Sequence, residues 1–293
     1  MLFLCPVRAH PKGIPGTWRE IRRRQARRFE TTLNWRKAMA DHGKFVWYEL
    51  MTTDMAAAET FYKDVVGWGA RDSGMAGINY TLFNAGEVPV AGLMTMPEGA
   101  LEMNVPPAWL GYVGVDDVDA TAAKIAAKGG KVHRAPDDIP GIGRFAVVTD
   151  PHGAVFAIFK GIGEPPPVTD PMAPGLVGWH ELASGDLNTA FPFYAELFGW
   201  TKDQAMDMGE MGIYQIFAHG GAPIGGMMTK PKEVPAPYWL YYINVPALDA
   251  AIERIKAGGG KIVLEPMEVP GGAWIVQALD PQGALFALVG PRR

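Results

Sequence analysis

The chain has 293 residues, 48% of them hydrophobic and 20% charged, with 11% aromatic, which is the profile of a folded protein with a substantial core rather than a low-complexity chain. No apolar run approaches the 18 residues of a membrane span, and the single cysteine, Cys5, can form neither an internal disulfide nor a thiolate cluster, which suits a reducing, cytoplasmic setting. The net charge of −4 is unevenly spread: residues 1–40 carry ten Lys/Arg against Glu20 and Glu30, whereas the other 253 residues carry 17 basic and 29 acidic side chains. An acidic body makes a poor nucleic-acid binder, since phosphate contacts need a basic face.

Residues 1–43 read as a basic N-terminal extension, expected to be disordered, with Met39 as an alternative start immediately before the first patterned strand. Its Arg-rich, acid-poor character also fits a transit segment, but it lacks the apolar core of a secretory signal.

Next comes alternation over 45–51, a strand. Asp54 has the chemistry of a helix N-cap, and the helix predicted over 55–65 stops near Gly67. Strands follow at 78–83 and 88–94, turning at Asn84-Ala85-Gly86. The order then restarts with a strand at 109–115, Asp116/Asp117 at a helix start, a helix to Lys128, a short strand, and a hairpin turning at Asp150-Pro151-His152-Gly153.

The whole series recurs. WYELMTTDMAAAETFYKDVVGW at 47–68 matches WHELASGDLNTAFPFYAELFGW at 179–200 in nine of 22 positions. The match continues at Trp109-Leu110-Gly111-Tyr112 against Trp239-Leu240-Tyr241-Tyr242, and at DPHGAVFA (150–157) against DPQGALFA (280–287). Between the copies lies a Pro/Gly linker, 161–175, so the domains are expected at 44–160 and 176–290.

This order, with the "FY…GW" opening and "VDDVDA…GG…DPxG" close, resembles the glyoxalase/bleomycin-resistance/extradiol-dioxygenase superfamily, also called vicinal oxygen chelate proteins. The nearest likeness is to the two-domain glyoxalase-like proteins of actinobacteria and related bacteria. The resemblance implies an α+β fold of tandem domains, each made of two βαβββ modules that form a half-open curled sheet, with a ligand on the concave face. It also implies where metal-using members carry ligands. Those spacings fall on Trp47, Leu110 and Ala157 in the first copy and on Trp179, Leu240 and Ala287 in the second, and none of these can bind a metal. No metal or other cofactor is therefore expected.

Glu49 and Glu181 lie two residues beyond Trp47 and Trp179, hence on the same strand face. Either could be a general acid or base in an aromatic pocket, or a structural carboxylate. Arg144 could anchor an anion in the first domain, or be a strand-end charge or partner of Glu49. Tyr112 and Tyr242, with Trp47 and Trp179, are candidates to line a ligand cavity. His180 should pack beneath a helix and His152 should be a solvated turn residue. Three functions follow: a binding protein for a small organic molecule, carbonyl-bearing or aromatic; a metal-independent lyase or isomerase using Glu49 or Glu181; or a metal-dependent glyoxalase or dioxygenase. The partner in each is a small molecule, with no nucleic acid and no membrane span, and a homodimer is left open.

If the basic segment does not pack on the body, a chain starting at Met39 melts within a few degrees of the full chain in calorimetry. A larger drop would show docking, with Trp18, Phe29 and Trp35 the natural anchors.

Overall fold

The computed structural model describes residues 42–75, 77–100, 102, 105–163 and 170–293. Nearly all of the basic segment lies outside the described residues, as does 164–169 of the linker. His42 and Gly43, assigned above to the extension, instead belong to the body: the Trp200 indole donates to Gly43 O at 2.6 Å, and His42 Nε2 lies 3.1 Å from Leu197 O.

The first half runs β1 (Phe45–Thr52), α1 (Met55–Val66), β2 (Gly69–Asp72), β3 (Tyr80–Ala85) and β4 (Val88–Thr95), then β5 (Ala108–Gly114), α2 (Val118–Ala127), β6 (Lys131–Ile139), β7 (Gly143–Thr149) and β8 (Val155–Gly161). The second half repeats it: β9 (Val177–Ser184), α3 (Leu187–Phe198), β10 (Thr201–Asp207), β11 (Ile213–His219), β12 (Ala222–Thr229), β13 (Tyr238–Asn244), α4 (Leu248–Ala257), β14 (Lys261–Glu268), β15 (Trp274–Leu279) and β16 (Leu285–Gly290). The short β2 has no apolar alternation (Gly-Ala-Arg-Asp), which is why periodicity passes over it.

Local chemistry sets the helix ends. Asp54 accepts from Ala57 N, Asp117 from Ala120 N and Asp186 from Asn188 N, each with extended backbone at the cap. α1 and α3 stop at Gly67 and Gly199, both in the left-handed region. In the fourth helix Ala247 occupies the cap and offers no side-chain acceptor.

Each half is one eight-stranded mixed sheet, ordered β2-β3-β4-β1-β5-β8-β7-β6 and β10-β11-β12-β9-β13-β16-β15-β14. The two modules of a half join through the antiparallel pair β1–β5 (or β9–β13), and β1 runs parallel to β4. The end strands do not pair, so the sheets stay open: an α+β fold of tandem curled domains.

The helix-bearing faces of the two sheets pack against each other. One core joins Val113, Ile125, Ala146 and Phe156 of the first half to Phe191, Tyr194, Trp200 and Trp239 of the second. The other joins Phe61, Tyr62, Trp68 and Phe83 to Ile243, Ile252, Val276 and Phe286. The contacts are reciprocal. Tyr62 donates to Asp280 Oδ2 at 3.2 Å, and Tyr194 donates to Asp150 Oδ2 at 3.1 Å. Each tyrosine hydroxyl also accepts from an indole, Trp109 at 2.9 Å and Trp239 at 3.2 Å. On the axis between halves, repeat counterparts meet each other, as a twofold relation requires. Tyr48 faces His180 at 2.5 Å, and the Tyr241 hydroxyl accepts from Gly111 N at 2.8 Å.

Replacing Tyr62 with Phe leaves a buried aspartate one donor short and the Trp109 indole without its acceptor. The cost should be about 1–3 kcal/mol, read as a lower urea midpoint at unchanged m-value. Tyr194→Phe should behave alike.

Candidate functional site

The strand period sorts β1 into two faces. Leu50 packs with α1 and Tyr48 faces the other half, whereas Trp47 lies in the opposite, concave cluster with Tyr80, Leu82, Leu110, Tyr112, Phe145, Ala157 and Phe159. Glu49 shares that concave face. Its Oε2 accepts from the Tyr80 hydroxyl at 2.9 Å and its Oε1 from the Tyr112 hydroxyl at 3.0 Å, while the Trp47 indole donates to Tyr80 Oη at 2.9 Å. Tyr80 reaches the carboxylate by crossing β4 at Gly92, which stands opposite Glu49 in the parallel pair. A Cβ at Gly92 would lie 1.8 Å from Tyr80 Oη, so only glycine fits there.

The second half builds the same cradle. Glu181 Oε2 accepts from Tyr214 at 3.1 Å and Oε1 from Tyr242 at 3.2 Å, with the Trp179 indole donating to Tyr214 Oη at 2.9 Å. Gly226 stands opposite Glu181, and a Cβ there would meet the Tyr214 ring at 2.1 Å. The Gln277 amide adds a donation to Tyr242 Oη at 2.9 Å.

Burial dominates the electrostatics. It raises the pKa of Glu49 and of Glu181 above the ordinary 4.5, against the opposing pull of the two phenol hydrogen bonds on each. Arg134 also pulls the Glu49 pKa down, whereas among the described residues no cation acts in this way on Glu181. Burial, reinforced by the neighbouring carboxylate, raises the phenols as well, so the shared protons stay on tyrosine oxygens. The result is a carboxyl with raised proton affinity, held by two fixed donors against aromatic walls. Such a group can accept a hydrogen bond from a ligand or exchange a proton with one.

Glu49, Trp47 and Tyr112 thus come together in one half, and Glu181, Trp179 and Tyr242 in the other. Arg144 does not join them. Its neighbour Phe145 takes the concave face, so Arg144 points to the helix side, where Nε and Nη2 grip Asp119 at 2.7 and 2.9 Å and Nη1 binds Asp138 at 2.9 Å. The expected anion anchor is a surface ion-pair centre, and its guanidinium is committed to two aspartates.

Two histidine expectations also change. His180 lies between the halves, not beneath a helix. Its Nδ1 donates to Ile224 O at 2.6 Å, and burial lowers its pKa to about 4, so the neutral ring accepts from Tyr48 at Nε2. His152 is not merely solvated: it meets Thr189 of the other half at 2.8 Å.

Sequence reasoning missed Arg134, whose guanidinium carbon lies 4.5 Å from the Phe145 ring centroid, and missed Gln277 and Tyr238. An irregular register in β6 between Val132 and Arg134, and again before Asp137, hid the face of Arg134. Comparing the repeats would have exposed Tyr238 and Gln277, which replace Ala108 and Val147.

The implied metal places test poorly on the donor set. Trp47, Leu110 and Ala157 share the concave cluster of the first half, and Leu240 and Ala287 that of the second with Trp179 packed on it. No group of three His, Cys, Asp or Glu side chains is placed to hold a metal ion among the described residues. These residues do not fit the ion.

Paired βαβββ modules curled around a carboxylate-bearing concave face define a class of fold. The chain belongs to the Glyoxalase/Bleomycin resistance protein/Dioxygenase superfamily, whose family model matches residues 44–158 and again 176–288. It is 33% identical over 250 residues to the protein named "Putative glyoxylase CFP32" of Mycobacterium tuberculosis (strain CDC 1551 / Oshkosh), covering 84% of this chain and 94% of the relative. It is likewise 33% identical over 263 residues to the anthracycline biosynthesis protein DauV of Streptomyces sp. (strain C5), covering 84% of this chain and 93% of the relative. In fold it is similar to the crystal structure of the Mn(II)-bound glyoxalase from Novosphingobium aromaticivorans, with a TM-score of 0.58 at 19% identity, covering 87% of this chain and 84% of that one.

The raised carboxyl pKa has a signed consequence. Between 4.5 and its folded value, Glu49 binds more proton in the folded than in the unfolded chain, so its contribution to stability falls as pH rises through that window. Glu49→Gln should flatten the loss, seen as a smaller drop in the urea midpoint from pH 4 to 8 than in the parent.

Proposed function

We propose that this protein binds a small organic molecule, carbonyl-bearing or aromatic, against its concave sheet faces, using the Glu–Tyr–Tyr cradle as the polar end of the site. The observation that carries this reading is the cradle itself: a carboxyl held by two phenols and walled by tryptophan, built twice from the same strands. Ligand sites of this kind are largely apolar with a few fixed polar groups. The relatives named as a glyoxylase and as an anthracycline biosynthesis protein support a ligand of the carbonyl or polycyclic aromatic kind. Recognition uses the protein's own donors and acceptors, without the metal ligands of metal-using relatives and with no other cofactor. The single cysteine supports a reducing, cytoplasmic setting.

A metal-independent lyase or isomerase is the second reading, favoured by the raised proton affinity of the two carboxyls. Glu49 or Glu181 would remove a proton next to a carbonyl, while the tyrosines hold the carboxylate in place.

Mass spectrometry of the purified, gently denatured protein should release a small organic molecule in near-stoichiometric amount. For any substrate turned over, replacing the working glutamate with Gln should cost on the order of 100-fold in rate. Unchanged turnover with lowered stability would make that carboxylate structural.

A further inference from the structure

The two cradles are alike in their carboxylates and tyrosines but not in their surroundings. Four concave positions are smaller in the second half. Met51 becomes Ala183, Ile142 becomes Gly272, Phe145 becomes Ile275 and Phe159 becomes Val289. The large members pack in the first half's concave cluster, with Met75 of the β2–β3 loop against them. In the second half, Met208 and Met211 of the corresponding loop are exposed. Glu49 is accordingly 8% exposed, with Trp47 and Tyr80 equally buried. Glu181, Trp179 and Tyr214 all keep partial access to solvent.

The charges differ too. Arg134 acts on Glu49, but its counterpart beside the second cradle is Leu264. The second half adds an aromatic ring where the first has Ala108: Tyr238, which shares the strand face of Leu240 and Tyr242 and feels the Glu181 charge. Glu181 therefore sits among Trp179, Tyr214, Tyr238 and Tyr242 with no cationic neighbour acting on it among the described residues. Each of its oxygens accepts one phenol and retains acceptor capacity. A partly desolvated carboxylate faced by aromatic rings is complementary to an organic cation, which gains a charge-assisted hydrogen bond and ring-face attraction together.

Resting on the binding reading above, we infer that the second half holds the working ligand site, that its ligand carries a protonated amine directed at Glu181, and that the first half's cradle is a closed core. The amine N–H groups take the free acceptor positions of Glu181, and the apolar part of the ligand occupies the room left by Ala183, Gly272, Ile275 and Val289.

The test uses the full chain, ¹⁵N-labelled at its tryptophans, and three probes that share a phenyl ring: 2-phenylethylammonium, 2-phenylethanol and phenylacetate. The Trp179 and Trp47 indole N–H signals, assigned by Trp→Phe replacement, report the two cradles separately. The cation should bind saturably, shift Trp179 and not Trp47, and bind about tenfold tighter than the alcohol, the scale of one charge-assisted bond. Glu181→Gln should remove that preference, bringing the cation's affinity to that of the alcohol. If that variant does not fold, Tyr238→Leu should weaken the cation several-fold, the ring's share of the attraction. Equal or tighter binding of the alcohol or of phenylacetate overturns the amine assignment, and a shift at Trp47 overturns the closed first cradle. If no probe moves either indole, the small-molecule reading itself falls.

Discussion

The structure depends on a bond that each half makes to the other. Asp280 Oδ1 accepts from Gln282 N and Ala284 N and so shapes its own hairpin turn, while Oδ2 receives the Tyr62 hydroxyl from the opposite half. Asp150 does the same for its turn and for Tyr194. Each aspartate thus couples local turn geometry to the packing of a distant helix. Buried groups of this kind are costly unless every acceptor is used, which makes the paired arrangement specific. The tryptophans after α1 and α3 extend the pairing, Trp68 donating to Gly175 O at 2.8 Å and Trp200 to Gly43 O. Neither sheet covers its own helical face, so the two halves form one body with a shared interior.

Because the helical faces are spent on each other, the concave faces are the ones the opposite half leaves uncovered. There the pleat brings every second residue of β1, β3 and β5 together, and closeness is bought by glycine: Gly92 and Gly226 let a tyrosine ring lie across a strand to reach the carboxylate. The cradle is rigid for the same reason. Its tyrosines are fixed at the hydroxyl by Glu and by indole, so a ligand would meet groups already oriented.

The two copies share the reciprocal Tyr–Asp contacts of the interface and the Glu–Tyr–Tyr cradle of the concave face, and differ in the residues around each cradle. The residues shared by both copies include the Phe-Tyr pair, the Gly-Trp pair and the DPxG aspartate of the interface as well as the Trp, Glu, two tyrosines and crossing glycine of each cradle. Those that differ, such as Ala108 against Tyr238, Val147 against Gln277 and Arg134 against Leu264, surround the carboxylates. A Glu in both copies marks a shared scaffold, and the positions around it carry the difference in access and charge.

The sequence by itself determined the repeat, the alternation of strand and helix, the aspartate caps and the family. The alternation and the caps are written in local spacing, which needs no partner beyond a few residues away, and the repeat and the family in the recurrence of those local patterns along the chain. It also placed Glu49 and Glu181 beside Trp47 and Trp179, because period two is strict within one strand. What it left open depended on register and on distant chain. The face of Arg144 turned on the pairing of β7, and Arg134 was masked by irregular register in β6. A one-residue slip there exchanges concave for helical surroundings. The partners of Tyr62, His180 and Asp280 lie in the other half, more than a hundred residues away, where no periodicity reaches. Only the tertiary structure could bring these together, because burial and the demand that each buried polar group find a partner are satisfied across the whole body and not along the chain.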